Sequence, residues 1–99
     1  MWPIVAGERG ESELAAGRPA GGRLAALAGA ANQGGMIPEQ VWDDHPPSGS
    51  PGFPRGGGTF SATPLAWSHA FFVRLAWSIQ DGRPVEQPRI VACRYARTC

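Results

Sequence analysis

The chain has 99 residues, a net charge of +1 and 42% apolar residues, so it holds at most one small domain and is too apolar for a simple charged, disordered tail. Its 14 Gly and 10 Pro reach the content of about a quarter that begins to suggest disorder, and a domain of this length buries only about two-thirds of its unfolded surface. The nine basic residues are all Arg and lie scattered between Arg9 and Arg97, which argues against the clustered footprint of a nucleic-acid binder, and no apolar run approaches the roughly 20 residues of a membrane span.

The opening MWPIVAGERGE meets charge by Glu8 and lacks a basic n-region ahead of a long apolar core. No signal peptide is expected, neither nucleic acid nor membrane is expected as a partner, and a cytoplasmic location is favoured. The stretch GERGESELAAGRPAGGRLAALAGAANQGG is rich in the helix formers Ala, Leu, Glu and Arg, but Pro19 interrupts it with Gly17, Gly21 and Gly22 nearby. Short helices are predicted over residues 9–16 and 22–31, and the sequence leaves open whether they join as one kinked helix. Leu24, Leu27, Ala28 and Ala31 form a narrow apolar stripe, stopped by Gly34 and Gly35.

After MIPEQVW comes a Gly-, Pro- and Ser-rich tract over residues 43–62. Structureless loops longer than about 12–15 residues are uncommon in compact domains and are usually functional or disordered. A further helix is predicted with Thr63 as N-cap, Pro64 at its first position and Asp81-Gly82 as its stop. Between those signals only Ser68, His69, Arg74, Ser78 and Gln80 are polar. A helix apolar on nearly every face belongs inside a larger protein, so the chain reads as a piece of one. The tail is spaced by Pro84 and Pro88, and RIVACRY reads as a short strand or as a segment wrapped across a helical surface. Cys93 and Cys99 have no histidine near them to complete a metal site; a local disulfide is open, and free thiols in a reducing compartment are favoured.

Three blocks in order, WPIVAGERGESELAAG, IPEQVWDD and GGGTFSATPLAWSHAFFVRLA, resemble the end of the catalytic domain of bacterial glucoamylase-type glycoside hydrolases, the family of glucoamylase and glucodextranase. The resemblance covers residues 2 to about 95. It implies an all-α fold: the C-terminal helices of an (α/α)₆ barrel, with a long Gly/Pro-rich loop and an extended tail, residues 1–95 forming the partial domain and 96–99 a tail. It also implies an inverting, exo-acting α-glucosidase of the glucan 1,4-α-glucosidase kind, needing no cofactor and no metal, whose partner is an α-glucan oligosaccharide or other glucoside. In the PEQ block the family places its catalytic base, which assigns that role to Glu39. Trp2, Gln40, Trp42, Leu65 and Trp67 carry over as substrate contacts, since sugar C–H faces pack on indole rings and the indole N–H bonds hydroxyls.

By residue type alone Glu39 would be a solvated loop charge, Trp67 either core or contact, and Trp77 core. His69 reads as a hydrogen-bonded packing residue, and Asp43 and Asp44 as loop-capping or solvated acids rather than a Ca²⁺ site. Ser12 before Glu13, the run GRPAGGRL, and Phe60 where a small residue is common depart from the family pattern. The family's general acid lies upstream of this segment, so the isolated chain is expected to be inactive. Two other readings stand beside the enzyme fragment: a non-catalytic carbohydrate-binding remnant using Trp2, Trp42 and Trp67, and a piece that complements a partner polypeptide carrying the upstream barrel.

Overall fold

A computed structural model describes residues 1–45, 52, 54–97 and 99. Three helices form the body: α1 (Pro3–Ala15), α2 (Gly21–Gly29) and α3 (Ala66–Asp81), with α1 packed on both others and α2 also touching α3. A short α4 (Arg89–Val91) runs into a π-helical turn, Ala92–Ala96, that meets none of α1–α3. Among the described residues there is no strand, only one isolated antiparallel bridge between Val41 and Gly58, so the fold is all-α.

α1 begins at Pro3, six residues before the predicted start. Pro3 occupies the first turn, where its missing N–H leaves no bond unmade, and Trp2 is the extended residue that precedes it. Packing overrides the weak local propensity of this stretch: a Cβ on Gly7 would stand 2.8 Å from the Phe71 Cβ, and one on Gly10 2.6 Å from Leu75 Cδ2. Two bare positions three residues apart thus let α1 lie against α3 at backbone distance. Gly17, with φ of 70°, turns the chain out of α1, so α1 and α2 are separate helices and not one kinked helix.

α3 starts at Ala66 rather than at Pro64. Leu65 is extended and donates its N–H to the Ile37 carbonyl at 3.0 Å, which holds it outside the helix. The predicted stop is observed: Gly82 adopts φ of 71°, and the Arg83 N–H reaches back to the Ser78 carbonyl. The tail differs more. RIVACRY is helical, not a strand, since no neighbouring strand offers its backbone a partner and local i-to-i+4 and i-to-i+5 bonds serve instead. Nor does it wrap a helical surface, and Cys93 and Cys99 form a disulfide, correcting the expectation of free thiols: the turn brings their Cα atoms to 4.5 Å.

One apolar cluster is built on Ala20, Leu27 and Leu75, with Ala6, Leu14, Leu24, Phe72 and Ile79 packed around it. A second joins Ala30, Ile37 and Val41, and Phe72 touches both. Charges tie the helices outside these clusters. Glu13 receives Arg23 from α2 and Arg9 from its own helix, while Arg74 pairs with Glu11 through both carboxylate oxygens and with Glu86 at 2.9 Å. Part of the predicted long loop, residues 46–51 and 53, lies outside the described residues.

Candidate functional site

The PEQ segment crosses the top of α3 and is anchored from several directions. Its flanks are apolar and buried: Ile37 and Pro38 before Glu39, Val41 after Gln40. Ile37 donates its N–H to His69 Nε2 at 2.9 Å, and the Pro38 carbonyl accepts from the wholly buried Ser68 hydroxyl at 3.0 Å. His69 is therefore a packing residue with Nε2 as acceptor, as its sequence setting suggested. On the other side the returning loop binds the segment's backbone. Glu39 N–H donates to the Ala62 carbonyl at 2.9 Å, Gln40 N–H to Ser61 Oγ at 3.1 Å, and Thr59 N–H to the Gln40 carbonyl at 3.2 Å. Trp42 exchanges two further backbone bonds with Gly56 and Gly57, each 2.9 Å. From a third side Met1 pairs with Val41, its amine donating to the Val41 carbonyl and its carbonyl accepting the Val41 N–H.

Glu39 is half-buried, and its backbone is fixed by these contacts while its carboxylate is left available. Beside it, Trp2, Gln40, Trp42, His45, Phe60 and Ser61 line a groove of about 580 Å³, within the roughly 300–1,000 Å³ usual for small-molecule sites. Glu39 itself does not line this groove. Asp43, also at its edge, is held below the usual carboxylate range by the His45 N–H and then by the terminal ammonium. Leu65 sits half-buried at the start of α3, joined to the segment through Ile37. Trp67 faces elsewhere: with Val73 and Trp77 it lines a larger, mainly apolar groove of about 800 Å³ along α3. Trp67 and Trp77 are 59% and 58% exposed, so Trp77 is not core in this chain. Both grooves combine aromatic walls with polar groups, the composition of a ligand site, but only the smaller is lined by residues of the PEQ segment itself, Gln40 and Val41.

The structure thus brings Trp2, Gln40 and Trp42 into one groove that Glu39 adjoins in sequence without lining, ties Leu65 to the segment only through the Ile37 backbone, and places Trp67 in the other groove. Ser61 and Ser68, which hold the segment, escaped the sequence reading. The available signal was polar hydroxyls in otherwise apolar surroundings, although their partners lie 21 and 30 residues away. Among the described residues, no group of three or more His, Cys, Asp and Glu side chains could hold a metal ion, and no helix is long and apolar enough to cross a membrane.

No family profile matches the chain. A glucoamylase of Clostridium sp. (strain G0005) is 43% identical to it over 95 residues. The chain is similar to one segment of a glucoamylase-type glycoside hydrolase. The match covers 96% of this chain but 12% of that glucoamylase, so the chain corresponds to a small segment of the larger glycoside hydrolase. The crystal structure of a bacterial glucoamylase complexed with acarbose superposes with a TM-score of 0.81 and 41% identity, over 95% of this chain and 12% of its own. As a segment of the all-α glucoamylase barrel, α3 has a physical reason to carry an uncovered apolar face.

Proposed function

We propose that this segment supplies the general base, Glu39, to an inverting, exo-acting α-glucosidase. Hydrolysis with inversion needs two carboxyl groups about 6.5–9.5 Å apart: a protonated one for the leaving oxygen and an ionised one to activate water on the opposite face. The observation that carries the reading is the anchoring of residues 37–41 by α3, by the returning loop and by Met1, within a segment 43% identical to a glucoamylase. Such anchoring suits a carboxylate that must keep its place through a reaction. Trp2, Gln40, Trp42 and Leu65 are assigned to the sugar nearest the base; Trp67 is the member of the set least tied to that groove. The neighbour's complex with acarbose supports a glucoside-like ligand. Lacking the general acid, the isolated chain does not hydrolyse glucosides.

The test joins this segment to the rest of a barrel and follows glucose release from maltooligosaccharides. Glu39→Gln is expected to lower kcat by roughly 10²–10⁴-fold, the usual worth of a positioned acid or base, with β-glucose as the first product of the parent enzyme. Full activity in the Gln variant, or α-glucose appearing first, would overturn the assignment. A second reading, complementation of a partner polypeptide carrying the upstream barrel, is favoured by the exposed Trp67, Val73 and Trp77 of α3 and predicts activity only in the mixture. A simple carbohydrate-binding remnant is less well supported, because Trp67 opens on a different groove from Trp2 and Trp42.

A further inference from the structure

One face of α3 packs on α1 and α2, with Phe71 and Leu75 buried there; the other lies open. On the open face Ala66, Ala70, Val73, Trp77 and Gln80 are all exposed. They follow one another at steps of four, three, four and three residues, the spacing of a seam between two helices. Trp67 stands beside this seam and, with Val73 and Trp77, lines the groove of about 800 Å³. The area left in water is large. The chain exposes 6733 Å², against about 5,400 Å² for a folded monomer of 10.5 kDa. The terminal turn takes part of this surplus of roughly 1,300 Å², which exceeds the roughly 800 Å² that each partner gives up in a standard interface.

We infer that the open face of α3 is the interface of a symmetric dimer, in which it packs antiparallel on α3 of a second copy of this chain. This does not depend on the glucosidase reading. A two-fold interface must be complementary to itself, and α3 meets that demand in two ways. The first is size. Ala70 and Trp77 stand symmetrically about residues 73 and 74, so in the antiparallel pair Trp77 falls opposite Ala70 of the second copy, and each indole fills the space over a methyl group. The second is charge. The first turn of α3 holds no acidic residue and no side-chain cap, while its last turn holds Asp81 and no basic residue. An acid at a helix C-terminus opposes the macrodipole, and one near an N-terminus is stabilised by it. Antiparallel packing sets Asp81 opposite Ala66 of the second copy, in its first turn, and so corrects both ends together; parallel packing would set the two Asp81 side by side. A polypeptide carrying the upstream barrel would cover the same face, so it and the second copy compete for it.

Sedimentation equilibrium of the 99-residue chain measures the dimer dissociation constant for the parent, Ala70→Trp, Trp77→Ala and the double variant carrying both. Both positions are exposed in the single chain, so the fold does not depend on them, and unchanged far-ultraviolet circular dichroism is the control. Either single substitution is expected to weaken the dimer by roughly 10-fold or more, the first by setting indole against indole and the second by leaving a gap. The double variant restores the pairing of indole with methyl and should return to within about 3-fold of the parent. That reversal separates a fitted interface from general stickiness, under which Ala70→Trp would associate more tightly than the parent. A tighter Ala70→Trp, a double variant as weak as the single ones, or assemblies larger than a dimer overturn the inference. So does a parent that stays monomeric up to about 1 mM, whether or not it then binds an added polypeptide carrying the upstream barrel.

Discussion

The hydroxyl of Ser68 has no exposed surface and donates to the Pro38 carbonyl one residue before Glu39. Ser68→Ala leaves that carbonyl oxygen dry and without this donor, at a cost of about 1–3 kcal/mol, and a urea midpoint shifted to lower concentration is the expected readout. Glu13 gives a second residue-scale prediction, this time in pH. Hydrogen bonds from Arg23 and then Arg9 lower its pKa from 4.5 to about 2. A carboxylate with a depressed folded-state pKa stabilises the fold fully above its unfolded value, and that contribution is lost as pH falls from about 4.5 towards 2. Melting curves should show the parent losing more Tm across this window than Glu13→Gln does, and parallel curves would refute the coupling. At this scale the sequence was legible where one short motif carried the chemistry, as with Glu39 and Gln40. Ser68 and Ser61 were not legible as anchors, because a hydroxyl acquires its partner only when segments distant in sequence meet; His69 was legible as a hydrogen-bonded packing residue, though its partner Ile37 was not.

Between helices, α1 and α3 meet through Gly7 and Gly10 against Phe71 and Leu75. The Phe71 Cβ cannot swing aside, because it moves only with its helix, so Gly7→Ala must push the two helices apart. Overpacking of this kind costs about 1–3 kcal/mol, more than the roughly 1 kcal/mol that Ala gains over Gly in helix propensity. Gly22 in α2 has nothing within 4 Å of an added Cβ, so Gly22→Ala is expected to raise stability by up to about 1 kcal/mol. Opposite changes in chemical-denaturation midpoint for these two Gly-to-Ala substitutions would separate packing from propensity; equal shifts would contradict the close-approach account. Periodicity and stop signals made the core of α3 and its end at Gly82 readable. The start of α1 was not, since Ile4, Val5 and Gly7 are poor local helix formers whose helicity is conferred by α3. The helical turn after Pro88 was unreadable for a related reason: β-branched Ile90 and Val91 suit a strand, but there is no sheet for one to join.

Over the whole molecule, Trp67, Val73 and Trp77 remain exposed on one helix, while Ile90 and Tyr95 stand clear on the terminal turn. A chain that leaves such faces uncovered in water tends to associate. Light scattering of the isolated chain should therefore rise with concentration, and Val73→Glu combined with Trp77→Gln should lower it without lowering the unfolding midpoint, because both side chains lie mostly outside the core. Scattering unaffected by the pair would show that another surface drives association. The sequence made this feature visible in advance, as a helix with too few polar residues for any solvent-facing side. What it could not indicate was which face the rest of the chain would cover.

The pairing of Met1 with Val41 and of Ser68 with Pro38 also bears on how the site comes into being. Contacts separated by 40 and 30 residues close only after most of the intervening chain has condensed, so topology places them among the slower events of folding. The setting of Glu39 is then not a local loop conformation that forms early and waits for the helices. It arises with the docking of α3, and a partly folded chain would carry the same carboxylate with no defined direction.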